Sequence, residues 1–277
     1  NGVIGNSSNW NGKQWVYPRE LGKAGYQTAL IGKWHLKGNP TDEFQHWDIL
    51  SGKGGQGSYF NPVFLSAKGG KRTLGHSTKI ITDKTLKWLK ERDKKMPFLV
   101  CAQYKTPHIH RLPPPKFMGQ YDQIDFPVPH TFFDDFSTRS SFVSETWMAL
   151  KGMKGHVLNI ASTESEIETN PKLMPSFLRE MTAPQRAAWH QAYDPRNLKM
   201  RVLDESGKLN GKNKSLYIYQ RFIKDYIRCV DGLDDQVGRL LRYLDKAGLK
   251  ENTIVIYSSD QGFFTGEHGW AEKRWMY

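Results

Sequence analysis

The sequence predicts an α/β fold with a mainly parallel central sheet and helices on both faces. Two observations carry this: continuous apolar runs, and helical stretches placed before them. The runs are TALI at 28–31, FLVCA at 98–102 and TIVIY at 253–257. None alternates apolar with polar residues, so each reads as a strand covered on both faces, the condition of a parallel strand between helical layers. Helix followed by strand, repeated, is α/β architecture.

The helical elements follow from spacing. Residues 78–94 place Ile81, Leu86 and Leu89 on one side and Lys, Glu and Asp on the other, and Pro97 then precedes FLVCA. Residues 217–246 repeat apolar side chains every three or four positions, from Ile218 and Phe222 through Val237, Leu240 and Leu244. Gly248 closes that helix as the residue just past its end, where a left-handed backbone is needed. Residues 129–215 are polar and uneven. They carry one clear helix signal, TAPQRAAWHQAY, with Thr182 as cap and Pro184 in the first turn. This stretch is expected to be an insertion over the sheet rather than a second core.

Composition narrows the partners. The 277 residues suffice for a sizeable core. Lys and Arg number 40 against 28 Asp and Glu, a net charge of +12, which favours an anionic partner. The basic residues are evenly spread, with neither a clustered stripe nor a known module, so a nucleic-acid partner is not expected. No run approaches about eighteen apolar residues, so no membrane-spanning helix is expected. The chain opens at NGVIGN without Met and ends at KRWMY, and is read as an internal fragment. Cys101 and Cys229 each sit in an apolar run as buried thiols; two cysteines neither demand nor exclude a disulfide.

Polar chemistry gathers at the ends of the three runs. TALI leads into Gly32, Lys33, Trp34 and His35, and FLVCA into a segment with His108, His110 and Arg111. TIVIY leads into Asp260, Gln261 and Gly262, followed by Glu267, His268 and Lys273. Ligands of open α/β sheets bind beyond the carboxyl ends of the strands, so the clusters are expected to converge on one crevice. Asp260 and Gln261 are hard oxygen donors, suited to Ca²⁺ or Mg²⁺ rather than to a thiolate zinc site. Lys33 and Lys273 could hold an oxyanion, while His35 and His108 could orient a nucleophile or protonate a leaving group. A hard cation, two lysines and two histidines point to hydrolysis or transfer of a sulfate or phosphate ester.

Plainer readings compete at each position. Asp260-Gln261-Gly262 alone is commonly a turn after a strand. His110 and Arg111 read as surface loop residues, Glu267-His268 as a pair that shapes its loop, and Asp231, Asp234 and Asp235 as a solvated helix face. Trp residues are core or surface by default, although an exposed one could stack on a sugar ring.

At these residues the sequence resembles the type I, formylglycine-dependent sulfatase family. GYQTALIGKWHL is similar to that family's second signature, KTPHIHRLPPP to its Pro-His loop, and SSDQGFFTGEHGWAEKRWMY to its metal-binding segment. RCVDGLDDQVGRLLRYLDKAGLKENTIVIYSSDQG resembles the helix–strand lead-in to the last of these. The resemblance implies an alkaline-phosphatase-like fold, a Ca²⁺ ion ahead of Mg²⁺, and a formylglycine nucleophile made from cysteine. It implies that Lys33 binds the sulfate and the nucleophile's oxygen, and that His35 hydrogen-bonds the formylglycine hydrate. His108 becomes the general acid, Lys273 a second sulfate clamp, and Asp260 and Gln261 metal ligands.

The sequence departs from the family in lacking the Cys-x-Pro-x-Arg stretch and the Asp pair that precede the Gly-Lys-Trp-His signature. Cys101 is followed by Ala-Gln-Tyr-Lys and Cys229 by Val-Asp-Gly-Leu, so neither matches the precursor. Residues 1–277 are therefore expected to be part of a single catalytic domain, without the nucleophile region, and inactive alone. ITDKTLKWLKERDKKMPF, FPVPHTFFDDF and MTAPQRAAWHQAY resemble the branch acting on N-acetylglucosamine-6-sulfate in sulfated glycans. A sulfated carbohydrate is thus the implied partner, and the periplasm or the cell exterior the implied location. The alternatives are a phosphate or phosphonate monoester hydrolase of the same superfamily, and a non-catalytic sulfated-glycan-binding relative.

Overall fold

The computed structural model describes residues 5, 10–52, 55–152 and 158–274. Residues 153–157 of the expected insertion and 275–277 at the end of the EHGWAEKRWMY stretch lie outside them. The chain divides into two units: residues 1–106 with 233–253, and residues 107–232 with 254–277.

The first unit is built on a five-stranded sheet. In chain order its strands are β1 (Gln27–Gly32), β2 (His46–Leu50), β3 (Val63–Ser66), β4 (Gly69–Arg72) and β5 (Phe98–Gln103), arranged β4-β3-β2-β1-β5. β1 is central and parallel to both β2 and β5, with Leu30 opposite Trp47 on one side and Cys101 on the other. β2, β3 and β4 then pair antiparallel. The parallel part is what the apolar runs predict, because β1 buries Ala29, Leu30 and Ile31 completely.

Side chains alternate along a strand, so β1 feeds two cores. On one face Ile31 packs with Leu50 and Phe64 against Ile80 and Ile81. These two isoleucines come from helix α2 (Ser77–Glu91), preceded in the chain by α1 (Tyr17–Lys23). On the other face Leu30 packs with Phe44, Trp47 and Ile49, and Cys101 joins them. There α1 reaches the sheet, with Tyr17 Oη 3.4 Å from Cys101 Sγ. Each fully buried Leu or Ile contributes about 1.5–3 kcal/mol. α2 also buries three threonines that its apolar spacing does not reveal. Thr78 Oγ1 lies 2.8 Å from Thr106 Oγ1, and Thr82 Oγ1 lies 2.8 Å from Tyr104 Oη, which fastens the segment leaving β5.

The second unit contains α3 (Ser141–Ser144), α4 (Glu164–Thr169), α5 (Ser176–Arg179), α6 (Ala183–Glu205) and the first part of α7 (Gly211–Lys246). Thr182 and Gln185 close a reciprocal capping box at the start of α6, and Gln185 Oε1 accepts from the Thr182 N–H at 2.8 Å. The helix runs well past the sequence signal, through Pro195 to Glu205. Ile218, Tyr219, Phe222 and Ile223 of α7 form a core with Phe132, Leu150, Leu158 and Ala271. α7 ends as its sequence predicts. Gly248 has φ +67°, and the Leu249 N–H reaches back to the Leu244 carbonyl at 2.8 Å.

One predicted strand is absent. TIVIY at 253–257 forms no ladder, and Ile254, Val255, Ile256 and Tyr257 are 90, 55, 85 and 73% exposed. Its composition is that of a strand covered on both faces, but a strand also needs a pairing neighbour, and no described residue supplies one. Three strands were not foreseen. β2 carries Asp48 in mid-strand, and β4 (GGKR) is exposed throughout, so neither resembles a buried run.

Candidate active site

The first cluster is fixed by a close approach of two backbones. At the end of β1, Gly32 adopts φ +118°, and a Cβ there would lie 2.0 Å from the carbonyl oxygen of Gln103 in β5. Only glycine admits that approach. It lets the Lys33 N–H donate to the same carbonyl at 2.7 Å, so Lys33 leaves the sheet beside the end of β5. Lys33 is half-buried and His35 exposed. Between them, Trp34 donates through Nε1 to the Gly38 carbonyl at 3.1 Å. The Gly-Lys-Trp-His run is therefore a turn stiffened by its own tryptophan. Lys105, two residues beyond β5, was passed over in the sequence. It is 6% exposed, and its Nζ lies 5.3 Å from the centre of the Tyr59 ring.

The Pro-His loop belongs to the second unit. His108 is half-buried, and its Nδ1 lies 3.0 Å from the Ile109 carbonyl oxygen. A carbonyl can only accept, so Nδ1 carries the proton, and Nε2 is the nitrogen that can exchange one. Arg111 corrects the expectation of a surface loop residue: it is wholly buried. Its guanidinium lies over the rings of Phe222 and Phe263 at 4.7 and 5.1 Å, and Nη2 donates to the Ala271 carbonyl at 3.3 Å. His110 is half-buried as well, with its ring 6.0 Å from that of Phe177.

A buried polar network supports this loop. Asn159 donates through Nδ2 to the Arg111 carbonyl at 3.0 Å and to Asp225 Oδ2 at 2.8 Å. Asp225 Oδ1 also accepts from Tyr193 Oη at 2.8 Å and from Arg228 Nη1 at 2.7 Å. Burial and the Asp225 carboxylate push the Tyr193 hydroxyl well above the ordinary tyrosine range. None of this was visible in the sequence, where these residues lie up to 117 positions from one another in unrelated segments.

The third cluster follows residue 257. Asp260 and Gln261 are exposed on a turn in which Ser259 Oγ donates to the Gln261 carbonyl at 2.6 Å. Glu267 accepts from the Thr265 N–H at 2.6 Å, so it shapes its loop as the plainer reading held. His268 Nδ1 meets Asp134 Oδ2 at 2.7 Å, and Arg139 meets the other oxygen at 2.9 Å. The Phe136 N–H, then His268, then Arg139 hold the Asp134 carboxyl below its usual range. Lys273 is half-buried, with Nζ 4.9 Å from the centre of the Phe263 ring.

Lys33 and His35 thus belong to the first unit, and His108, Asp260, Gln261 and Lys273 to the second. Within the second unit, Arg111 and Phe263 tie the His108 loop to the segment bearing Lys273. Asp260 and Gln261 suit a hard divalent cation as part of a ligand set, because Ca²⁺ takes about six to eight oxygens. Among the described residues no group of three His, Cys, Asp or Glu side chains forms a complete cage. The cysteines do not fit a formylglycine precursor. Cys229 is wholly buried within α7, and Cys101 lies half-buried in β5, where its sulfur meets Tyr17. Burial raises both thiols above the usual range, the opposite of an activated cysteine.

The chain is 39% identical over its full extent to N-acetylglucosamine-6-O-sulfatase of Bacteroides thetaiotaomicron, covering 49% of that protein. A 56-residue stretch, 20% of the chain, is 48% identical to human iduronate 2-sulfatase and covers 10% of it. A solved structure described as a complex with its substrate D-glucosamine-2-N,6-O-disulfate superposes with a TM-score of 0.92 at 39% identity, over 99% of this chain and 55% of that one. A putative sulfatase from Bacteroides fragilis shares the fold alone, with a TM-score of 0.57 at 16% identity over 96% of this chain and 48% of that one. The chain spans about half the length of the relatives that it matches from end to end. The sulfatase family pattern matches residues 18–275, from α1 past Lys273. The chain belongs to the sulfatase family.

Proposed function

We propose that the protein hydrolyses a sulfate ester of a sulfated glycan, and that the ester is the 6-O-sulfate of N-acetylglucosamine. The observation that carries this reading is the 39% identity, over the whole chain, to an N-acetylglucosamine-6-O-sulfatase. The net charge of +12 suits a polyanionic glycan. The chain is read as part of a single catalytic domain, with 129–215 as an insertion over the sheet. The periplasm or the cell exterior is the location that a polymeric substrate favours.

In this reading Lys33 and Lys273 hold the sulfate oxyanion, and His108 protonates the departing sugar oxygen through Nε2. His35 orients the nucleophile. Asp260 and Gln261 contribute to a divalent cation site, Ca²⁺ ahead of Mg²⁺, and the bound ion supplies charge neutralisation at the sulfate. Neither cysteine of this chain suits a formylglycine, so the nucleophile is assigned to residues beyond these 277, and this chain alone is expected to release no sulfate.

The test is a panel of defined monosulfated sugars offered to the full-length protein. Release of sulfate from N-acetylglucosamine-6-sulfate is expected; hydrolysis confined to a galactose or iduronate sulfate would reject the substrate assignment.

A further inference from the structure

We propose that Arg111 and Phe263 are positioning residues, which set Lys273 and the His108 loop in one fixed relation. The inference rests on the reading above for its kinetics and on geometry alone for its structural part. Arg111 acts through both backbone and side chain. Its N–H donates to the His108 carbonyl at 3.1 Å, closing the turn that follows the histidine. Its carbonyl is held by Asn159 at 3.0 Å. Its side chain reaches the carbonyl of Ala271, two residues before Lys273.

Phe263 completes the link. The Arg111 guanidinium lies 5.1 Å from the centre of its ring, and Lys273 Nζ lies 4.9 Å from the same centre. A lysine ammonium is a point charge on a flexible four-carbon stem, and an aromatic face is one of the few surfaces that can localise it without neutralising it. Burying a guanidinium is costly, so a position that only filled space would be better served by Leu or Met. The cation at position 111 contributes a directed hydrogen bond and positive potential beside Lys273, both suited to gripping an anion.

The experiment uses the full-length protein with Phe263→Leu, Phe263→Tyr, Arg111→Met and Arg111→Lys. Thermal unfolding reports the fold, and kcat and KM on a sulfated N-acetylglucosamine report positioning. The ¹³C-dimethyl signal of reductively methylated Lys273, assigned with Lys273→Arg, reports the ring contact without turnover. In the wild type that signal should be shifted upfield by the ring. Phe263→Leu should abolish the shift and lower kcat/KM about 10- to 100-fold, as a small misplacement of a working group does, while Tm stays within a few degrees. Phe263→Tyr should keep both, and Arg111→Lys should recover part of what Arg111→Met loses.

An unshifted wild-type Lys273 signal overturns the proposal. So does a folded Phe263→Leu protein whose kinetics stay within twofold of wild type. If Arg111→Met does not fold, the Phe263 pair decides. If the wild type cleaves no sulfated sugar, the functional reading fails by itself, and the Lys273 signal still tests the contact.

Discussion

The Lys33 N–H donates to the Gln103 carbonyl at 2.7 Å, and this bond joins the ends of the central strand and its parallel neighbour. It exists because Gly32, one residue earlier, can turn through φ +118° with nothing on its Cα. The first of the candidate site residues is thereby placed by backbone geometry.

Gly32→Ala should accordingly be far more damaging than its volume suggests. The new Cβ would sit 2.0 Å from the Gln103 oxygen, in a backbone region that L side chains rarely adopt. A loss of at least about 2 kcal/mol is expected. Urea unfolding checks it, and a loss below about 0.5 kcal/mol would contradict the geometry.

Asp225 is expected to be the most sensitive polar position of the second unit. It and Arg228 have side chains only 2% exposed, 2.7 Å apart, and its oxygens also serve Tyr193 and Asn159. Asp225→Ala should cost about 3–5 kcal/mol, the usual consequence of leaving one partner of a buried pair uncompensated. Equilibrium unfolding measures this, and a shift under about 1 kcal/mol would show that the network is not coupled.

Glu166 gives a pH signature. Arg201 at 2.6 Å, then the Thr163 N–H and hydroxyl, lower its carboxyl from 4.5 to about 2. A carboxyl depressed in the folded state stabilises it above the unfolded value and loses that contribution as pH falls. Here the window runs from about pH 4.5 down to about pH 2. NMR titration of the Glu166 carboxyl should find the low midpoint, and Arg201→Ala should move it upward. An unmoved midpoint would assign the shift to Thr163 instead.

The exposed run at 253–257 makes the opposite kind of prediction. Ile256 is 85% exposed, so Ile256→Ser in the 277-residue chain should change stability by less than about 0.5 kcal/mol. Denaturation measures it, and a loss above about 1.5 kcal/mol would mean that the isoleucine is covered.

What the sequence disclosed follows the same physics. Continuous apolar runs announce themselves by composition, which is why β1, largely buried, and β5, half-buried, were legible. The cap at Thr182 and the glycine at 248 each solve a local problem, and local problems are written in adjacent residues. β4 was illegible because all four of its residues face solvent, and TIVIY misled because composition cannot show whether a neighbouring strand is present. Of the proposed site residues, Lys33, His35, His108, Asp260, Gln261 and Lys273 stand out as chemical types that follow apolar runs. Arg111 did not, since a charge in the Pro-rich stretch HRLPPP reads as surface. Its burial depends on Phe222 and Phe263, more than 100 positions away. A cation directly after a His-x-His and before an apolar, proline-rich run is the one signal that could have marked it.

The most direct test of the central claim is sulfate release from N-acetylglucosamine-6-sulfate by the full-length protein, compared with Lys33→Ala and His108→Ala. The account predicts measurable release by the wild type, falling at least about 100-fold in each variant, as loss of a charge-stabilising group or a general acid does. Release that survives both substitutions within a few fold, or no release from any sulfated sugar, would contradict it.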